Sequence, residues 1–395
     1  MTSSSRLMLA DREEQARDWL LVCVIVLLAV GLLAVFSAGY VRGLSEGGGA
    51  RFSLVATQFC FMLLGGVALL VTYCLPQKIL RGLSLPLLII TFILLCLVLI
   101  VGKEVRGGMR WLQVGPFNLQ PSEFAKIALV LWVSSVYSRR PSSRAGQVRF
   151  RVPFVVLCLF SLLVLAEPHV GNAALIALGG MSVMYFAGVR LSKLVAGATL
   201  VIILGALAIG GSWAVRPDTW GKKWQEKRER IVHFYSEGGV EATRFGEGYQ
   251  SFQSILAIGS GGWAGKGVGA SRAKFNYLPD GHTDFIYAIL GEEMGFWACL
   301  LVLLCFVGIT MEGLSLGLQS KDRFGGLLLC GLSVMLGLQA LINIAMATAW
   351  LPAIGLPLPF ISYGGSSLLS SMMAVGLMLR ASRFEPGAEW TGRRL

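Results

Sequence analysis

Charge is what this sequence has least of. Only 14% of its 395 residues are Asp, Glu, Lys or Arg, against 55% that are hydrophobic, and the mean hydropathy is +0.69. A chain so apolar cannot cover itself with a water-compatible surface, which excludes a soluble domain and also a soluble domain on a single anchor. Histidine is scarce too: His169, His233 and His282 are too dispersed to suggest a metal site. All eight cysteines (Cys23, Cys60, Cys74, Cys96, Cys158, Cys299, Cys305, Cys330) fall in or beside apolar runs, without metal-ligand spacing or a pairing pattern. They read as small packing or lipid-facing residues. Also missing are an internal repeat of fixed period, a low-complexity tract and a separate soluble domain.

Uninterrupted apolar sequence is abundant instead. A membrane-crossing helix takes roughly 20 apolar residues, and such runs recur at about residues 19–38, 55–75, 84–101, 122–137, 153–165, 172–187, 194–213, 286–310, 326–347 and 366–380. The expected fold is an all-α polytopic membrane protein of about ten transmembrane helices. It has tails at 1–18 and 381–395, a transmembrane domain at 19–380 and a long outer loop at 214–285 between the seventh and eighth spans. The first run lacks a small-residue cleavage site, which favours a retained span over a removed signal peptide. Even parity puts both tails on one side, and Lys and Arg decide which. The tails and the loops on their side hold 18, while the short loops opposite hold five (Arg42, Arg51, Lys103, Arg106, Arg110). Both termini are therefore expected in the cytoplasm. The long loop holds ten more and is largely exempt from the rule at that length. The one basic residue left over, Lys126, sits inside the fourth span, and an intramembrane cation is a functional candidate by default.

Four polar clusters map to the outer face of this topology. In "GKEVRGGMRWLQVGPFNLQPSEFAK" (Gly102–Lys126), Lys103, Arg106 and Arg110 offer positive charge to an anion at the membrane surface, or simply meet lipid headgroups. Pro121 suits a first helical turn, where Glu123 could serve as a favourable N-terminal charge. Glu123 and Lys126, three apart, can also pair and line a cavity. "EPHVGN" (Glu167–Asn172) is a tight polar connection, or only a Pro/Gly turn. "LPAIGLPLPFISYGGSS" (Leu351–Ser367) is a proline-stiffened approach to the last span, where Ser362, Gly364, Gly365 and Ser366 lie at a helix start able to receive a phosphate oxygen. Non-helical backbone at that depth requires a protein or wet-cavity lining. "YLPDGHTDF" (Tyr277–Phe285) packs Asp280, His282 and Asp284 against an apolar run, where Asp284 can act as a general base or cap the following helix. The glycine-dense "GSGGWAGKGVGAS" in the long loop suits close backbone packing or a turning, mobile loop better than phosphate binding.

"GGMRW", "QPSEFAK", "GSGGW", "YLPDGHTDFIYAILGEEMGF" and "GLPLPFISYGGSS" occur in the order found in the SEDS family (shape, elongation, division, sporulation), which this chain resembles over roughly residues 19–380. The stretch before "YLPD" is similar to the division branch, with sporulation paralogues close to it. The resemblance implies a peptidoglycan glycosyltransferase that polymerises lipid II at the outer face of the cytoplasmic membrane, for septal wall synthesis. It implies Asp284 as the catalytic acid-base residue, Glu123 and Lys126 as the cavity pair and Trp111 as the loop tryptophan. Arg106, Arg110, His282 and the Ser362–Ser366 turn join them as expected substrate contacts. Implied partners are lipid II, a class B penicillin-binding protein and other division proteins, with no nucleic acid. No dedicated metal-ligand set is visible, although Mg2+ or Mn2+ could help neutralise a diphosphate. The chain departs from the family at His169, where an Asp is usual, at Asp280, where a Glu is usual, and at "AMATAW", which lacks an expected glycine. A lipid II flippase and a non-catalytic division scaffold share most of these requirements. Polar groups confined to one half of the membrane argue against transport, which requires access from both sides.

Overall fold

A computed structural model describes residues 3–45, 48–105, 108–115, 117–139, 150–215, 248–279 and 281–383, with a few single positions between 225 and 235. Its helices are α1 (Ser3–Ser45), α2 (Gly48–Cys74), α3 (Gln77–Val101), α4 (Pro121–Ser138), α5 (Arg151–Ala166), α6 (Val170–Phe186), α7 (Leu191–Val215), α8 (Tyr249–Gly261), α9 (Ile286–Gln319), α10 (Arg323–Ala347) and α11 (Gly365–Ala381). Each of the ten apolar runs lies on a helix, and α8 is the addition. Among the described residues, five helices (α1, α2, α3, α9, α10) are long and apolar enough to cross a membrane, and α5, α6 and α7 are shorter apolar helices. The N-terminal charged residues continue the first helix from Ser3 into the span Glu14–Gly39. Residues 384–395 of the C-terminal tail, Arg106 and Asp280 lie outside the described residues, as does most of 216–247.

The burial pattern is that of a protein solvated by lipid. On α3, Leu80, Ser84, Leu88, Thr91, Leu95 and Val98 are buried, a single face at helical spacing. The opposite face is equally apolar yet exposed, with Ile90, Ile93 and Ile100 at 52%, 56% and 77%. Water would not tolerate that surface. Helices in lipid gain little from burying apolar area against each other, so they associate through close packing and interhelical hydrogen bonds. α4 and α10 occupy the centre: α4 is buried on nearly every residue from Pro121 to Tyr137, and 72% of the apolar window of α10 is buried.

Between α3 and α4 the chain forms a small antiparallel meander of β1 (Lys103–Val105), β2 (Gly108–Val114) and β3 (Phe117–Leu119), in the order β1-β2-β3. Gly115 turns it with φ +60°. Pro121 then opens α4 in the first turn, where its missing N–H is harmless.

The second half of the expected 214–285 connection contains a helix. α8 packs small residues, Ser251, Ser254, Ala257 and Gly261, against the bundle, and the Ser254 hydroxyl donates to the Ala347 carbonyl at 2.6 Å. The glycines that follow serve contact: a Cβ at Gly261 would stand 2.0 Å from the Gly291 carbonyl oxygen, and one at Gly265 would stand 2.2 Å from that of Glu293. Gly295 bends α9 at the same place, with φ 75°.

Candidate active site

The four polar clusters, up to roughly 250 residues apart in sequence, meet at the end of the bundle that carries the meander. The Arg110 guanidinium, on β2, donates from Nε to the Glu167 carbonyl at 3.1 Å and from Nη2 to the Pro168 carbonyl at 2.6 Å, joining the first cluster to the α5–α6 connection. Ser366 donates to the Asn118 carbonyl and accepts from the Gln120 backbone N–H, both at 3.1 Å, joining the start of α11 to the entry of α4. Ser362 donates to the Thr283 carbonyl at 2.5 Å and accepts from the Leu358 N–H at 2.8 Å. The Tyr363 N–H donates to the His282 carbonyl at 3.0 Å. These bonds hold the turn 281–285 against the proline-rich segment.

At the base of the site lies a sealed polar network. Lys126 Nζ lies 3.0 Å from Glu123 Oε2, and it donates to Gln339 Oε1 at 2.8 Å and Asn172 Oδ1 at 3.4 Å. Asn172 Nδ2 donates to Glu123 Oε1 and Ser122 Oγ, and Ser370 Oγ to Glu123 Oε2. The two side chains pair as their spacing suggested, and both are enclosed, at 2% and 1% exposure. Enclosure is tolerable because every charge finds partners, since a buried ion without them costs several kcal/mol. Glu123 bonds side chains from α4, α6 and α11, so it binds the bundle together instead of capping α4.

From this base the network climbs α10. Gln339 Nε2 donates to the Pro357 carbonyl at 3.0 Å. One turn on, Asn343 Nδ2 donates to the carbonyls of Leu356 at 2.6 Å and Asp284 at 2.8 Å. The Asp284 backbone is thus anchored to the same helix that holds Lys126. Its carboxylate lies against Gly355, where a Cβ would stand 3.5 Å from Oδ2, and Gly355 has φ +72°. Asp284 stays partly exposed. Gln339 and Asn343 were absent from the expected site, although polar residues four apart in an apolar helix mark one face.

Electrostatically the site centres on Arg110. Burial lowers its pKa, opposed first by the negative charge of Asp284. Glu167 is fully buried with neither carboxyl oxygen hydrogen-bonded, and that burial pushes its pKa up to about 9, against the pull of Arg110. A carboxyl shifted this far leaves Asp284 as the main negative charge acting on the guanidinium. His169 caps α6: its Nδ1 accepts from the Asn172 N–H at 3.2 Å, the place a carboxylate would fill. Trp111 follows Arg110 on β2 and so points to the other face of the strand, half-buried. Gly364 and Gly365 open α11; Gly365 is required by Phe61, whose ring would lie 2.3 Å from a Cβ there.

The donor set does not suit a resident divalent cation. Among the described residues no three of His, Cys, Asp and Glu converge, and Glu123 is occupied by its neighbours.

Fold and site together define a polytopic helical membrane protein with a polar, partly exposed site at one end of its bundle. The family described as "Cell cycle protein", which groups FtsW, RodA and SpoVE, matches residues 18–386, and the chain belongs to it. It is 34% identical over 366 residues to a protein of Aeromonas salmonicida named "Probable peptidoglycan glycosyltransferase FtsW", covering 91% of this chain and 89% of that one. A relative of the same name from Trichlorobacter lovleyi is 35% identical over 378 residues, covering 95% of each. Among solved structures, a chain of a peptidoglycan synthase complex that coordinates polymerization and crosslinking superposes with TM-score 0.69 at 26% identity, over 92% of this chain and 96% of that one. Thermus thermophilus rod shape determining protein RodA superposes with TM-score 0.65 at 25% identity, over 92% and 95%.

Proposed function

We propose that this chain is a peptidoglycan glycosyltransferase of the division type. It joins lipid II units into glycan strands at the outer face of the cytoplasmic membrane, with both termini in the cytoplasm and a class B penicillin-binding protein as its partner. The observation that carries the reading is Asp284, partly exposed, held by Asn343 through its backbone and facing the charge of Arg110.

The acceptor sugar's 4-hydroxyl attacks the donor's anomeric carbon, and Asp284 takes the hydroxyl proton as the bond forms. The bond to the lipid diphosphate breaks with inversion, in one displacement. Arg110 stabilises the negative charge that develops on the leaving diphosphate. It can do so because burial holds the neighbouring Glu167 carboxyl protonated, with a pKa of about 9. The Lys126–Glu123 pair carries no net charge and acts from below, keeping α4, α6, α10 and α11 in register so that Asn343 can hold the Asp284 backbone. A divalent cation carried on the diphosphate would add to the charge stabilisation that Arg110 supplies.

The test is lipid II polymerisation by the full chain with its penicillin-binding partner, read as a glycan ladder. Asp284→Asn keeps the shape of the turn and removes the proton acceptor, so turnover should drop by about 10² to 10⁴. Full turnover by that variant would remove Asp284 from catalysis and return the flippase and scaffold readings.

A further inference from the structure

A second buried ion pair lies outside the site just described. Lys274, in the π-helical turn Ala273–Tyr277, and Glu293, two turns into α9, stand 3.0 Å apart, with side chains 1% and 3% exposed. Lys274 Nζ also donates to Ser37 Oγ of α1 at 3.0 Å and to the Gly269 carbonyl at 2.6 Å. Glu293 Oε1 accepts from Ser37 Oγ at 2.6 Å and from the Ser271 N–H at 3.2 Å. The neighbouring Glu292 holds the same stretch from its other side, accepting from Lys266 Nζ at 2.8 Å, Ser271 Oγ at 2.6 Å and the Ala273 N–H at 3.1 Å. Both carboxylates grip one piece of chain, residues 266–274, and Asp284 is only ten residues further on.

We propose that Glu293 and Lys274 are positioning residues for the transfer reaction: their buried pair, with Glu292 beside it, ties the segment leading to Asp284 onto α1 and α9 and so sets where that carboxylate stands. The inference rests on the reading of Asp284 given above. Its physical ground is that, beside the backbone bonds from the Lys266 and Gly267 N–H groups to the Glu292 and Glu293 carbonyls, this clasp supplies the buried side-chain bonds that join the segment to α1 and α9. Around Glu293 the junction with α1 and α9 is otherwise apolar, formed by Leu33, Ala34, Val268, Ile289, Leu290 and Met294, and apolar contact is not directional. Phe275 and Val268, on the segment itself, are 45% and 58% exposed. The polar clasp therefore supplies the alignment. Reaction geometry is steep enough to feel its loss, a displacement of 1 Å costing about a hundredfold in rate.

The experiment uses the full chain with its penicillin-binding partner in lipid nanodiscs. Lys274→Met combined with Glu293→Gln removes both charges and leaves neither buried alone. We expect kcat to fall about 10²-fold with KM for lipid II changed less than about threefold, as for misplacement and not for lost binding. Amide exchange should rise within residues 262–285 and not across the bundle, and Lys274→Arg, which retains the charge, should restore most of kcat. Wild-type kcat in the double variant overturns the proposal, as does a loss confined to KM or a general rise in exchange. Asp284→Asn in the same assay separates the two readings. If it is inactive while the double variant is fully active, only the clasp fails; if it is active, the assignment of the site fails with it.

Discussion

At the scale of single residues, Glu167 ties the site to pH. The unfolded chain would lose this proton near the usual 4.5, whereas the folded chain keeps it to about 9 because the side chain is buried. Between those values the folded state binds the extra proton, so stability falls as pH rises through the window, from about 5 to about 9. Glu167→Gln keeps the shape and removes the titration. Its thermal midpoint in detergent should therefore change less over that range than the wild type's, with the two converging at the acid end. A parallel slope in both proteins would show that the carboxyl is not held neutral. His169 makes the opposite case, a titratable residue used for its lone pair. As its Nδ1 is the N-cap acceptor of α6, Asp at this position can take the same N–H. His169→Asp should keep both stability and polymerisation, while His169→Ala should lose about 1 kcal/mol in an unfolding measurement, the ordinary worth of a cap. A His169→Asp variant that is stable but inactive, beside an active His169→Gln, would mean that the site excludes negative charge there.

At the scale of elements, legibility followed polarity against an apolar background. Lys126 stood out as the basic residue left in a span, and the structure gives it the expected Glu123 as partner. Gln339 and Asn343 were harder to see because uncharged amides do not break an apolar run, although their spacing placed both on one face. The Lys274–Glu293 pair was invisible for a different reason: its members lie on either side of the loop–helix boundary, and only the return of the chain past α9 brings them together. α8 was missed because its buried face is made of Ser, Ala and Gly, which yields no strong apolar period. That face makes a sharp prediction. Gly261→Ala would press a methyl into the α9 backbone at Gly291, whereas Gly259, on the same helix, meets nothing within 4 Å. Gly259→Ala should be neutral or slightly stabilising, by up to about 1 kcal/mol from helix propensity. Gly261→Ala should lower the thermal midpoint and, through displacement of the segment behind α8, the polymerisation rate; equal behaviour of the two would show that α8 does not rest on α9.

At the scale of the whole molecule, the two ends of the bundle differ in chemistry, and the difference predicts an orientation. The end away from the site gathers Lys78, Arg81, Arg139, Arg151, Arg190, Lys193, Lys321, Arg323, Arg380 and Arg383 in short connections and helix ends. Their contacts confirm that these positions share one end: Arg81 pairs with Asp322, Arg139 donates to the Arg81 carbonyl, Arg323 to that of Ala187, and Arg383 lies over the Tyr73 ring at 4.4 Å. The site end carries Lys103 and Arg110 in its short connection among the described residues. Short loops rich in Lys and Arg stay in the cytoplasm, so the site should open outward, where a lipid-linked sugar substrate would be polymerised. Substituted-cysteine labelling in intact cells decides it, in a background with the native cysteines replaced. Lys103→Cys, on β1 and exposed, should react with a membrane-impermeant maleimide added from outside, and Lys321→Cys, between α9 and α10, should react only after permeabilisation. The reverse pattern would place Asp284 and Arg110 on the cytoplasmic side and end the case for strand synthesis outside the membrane.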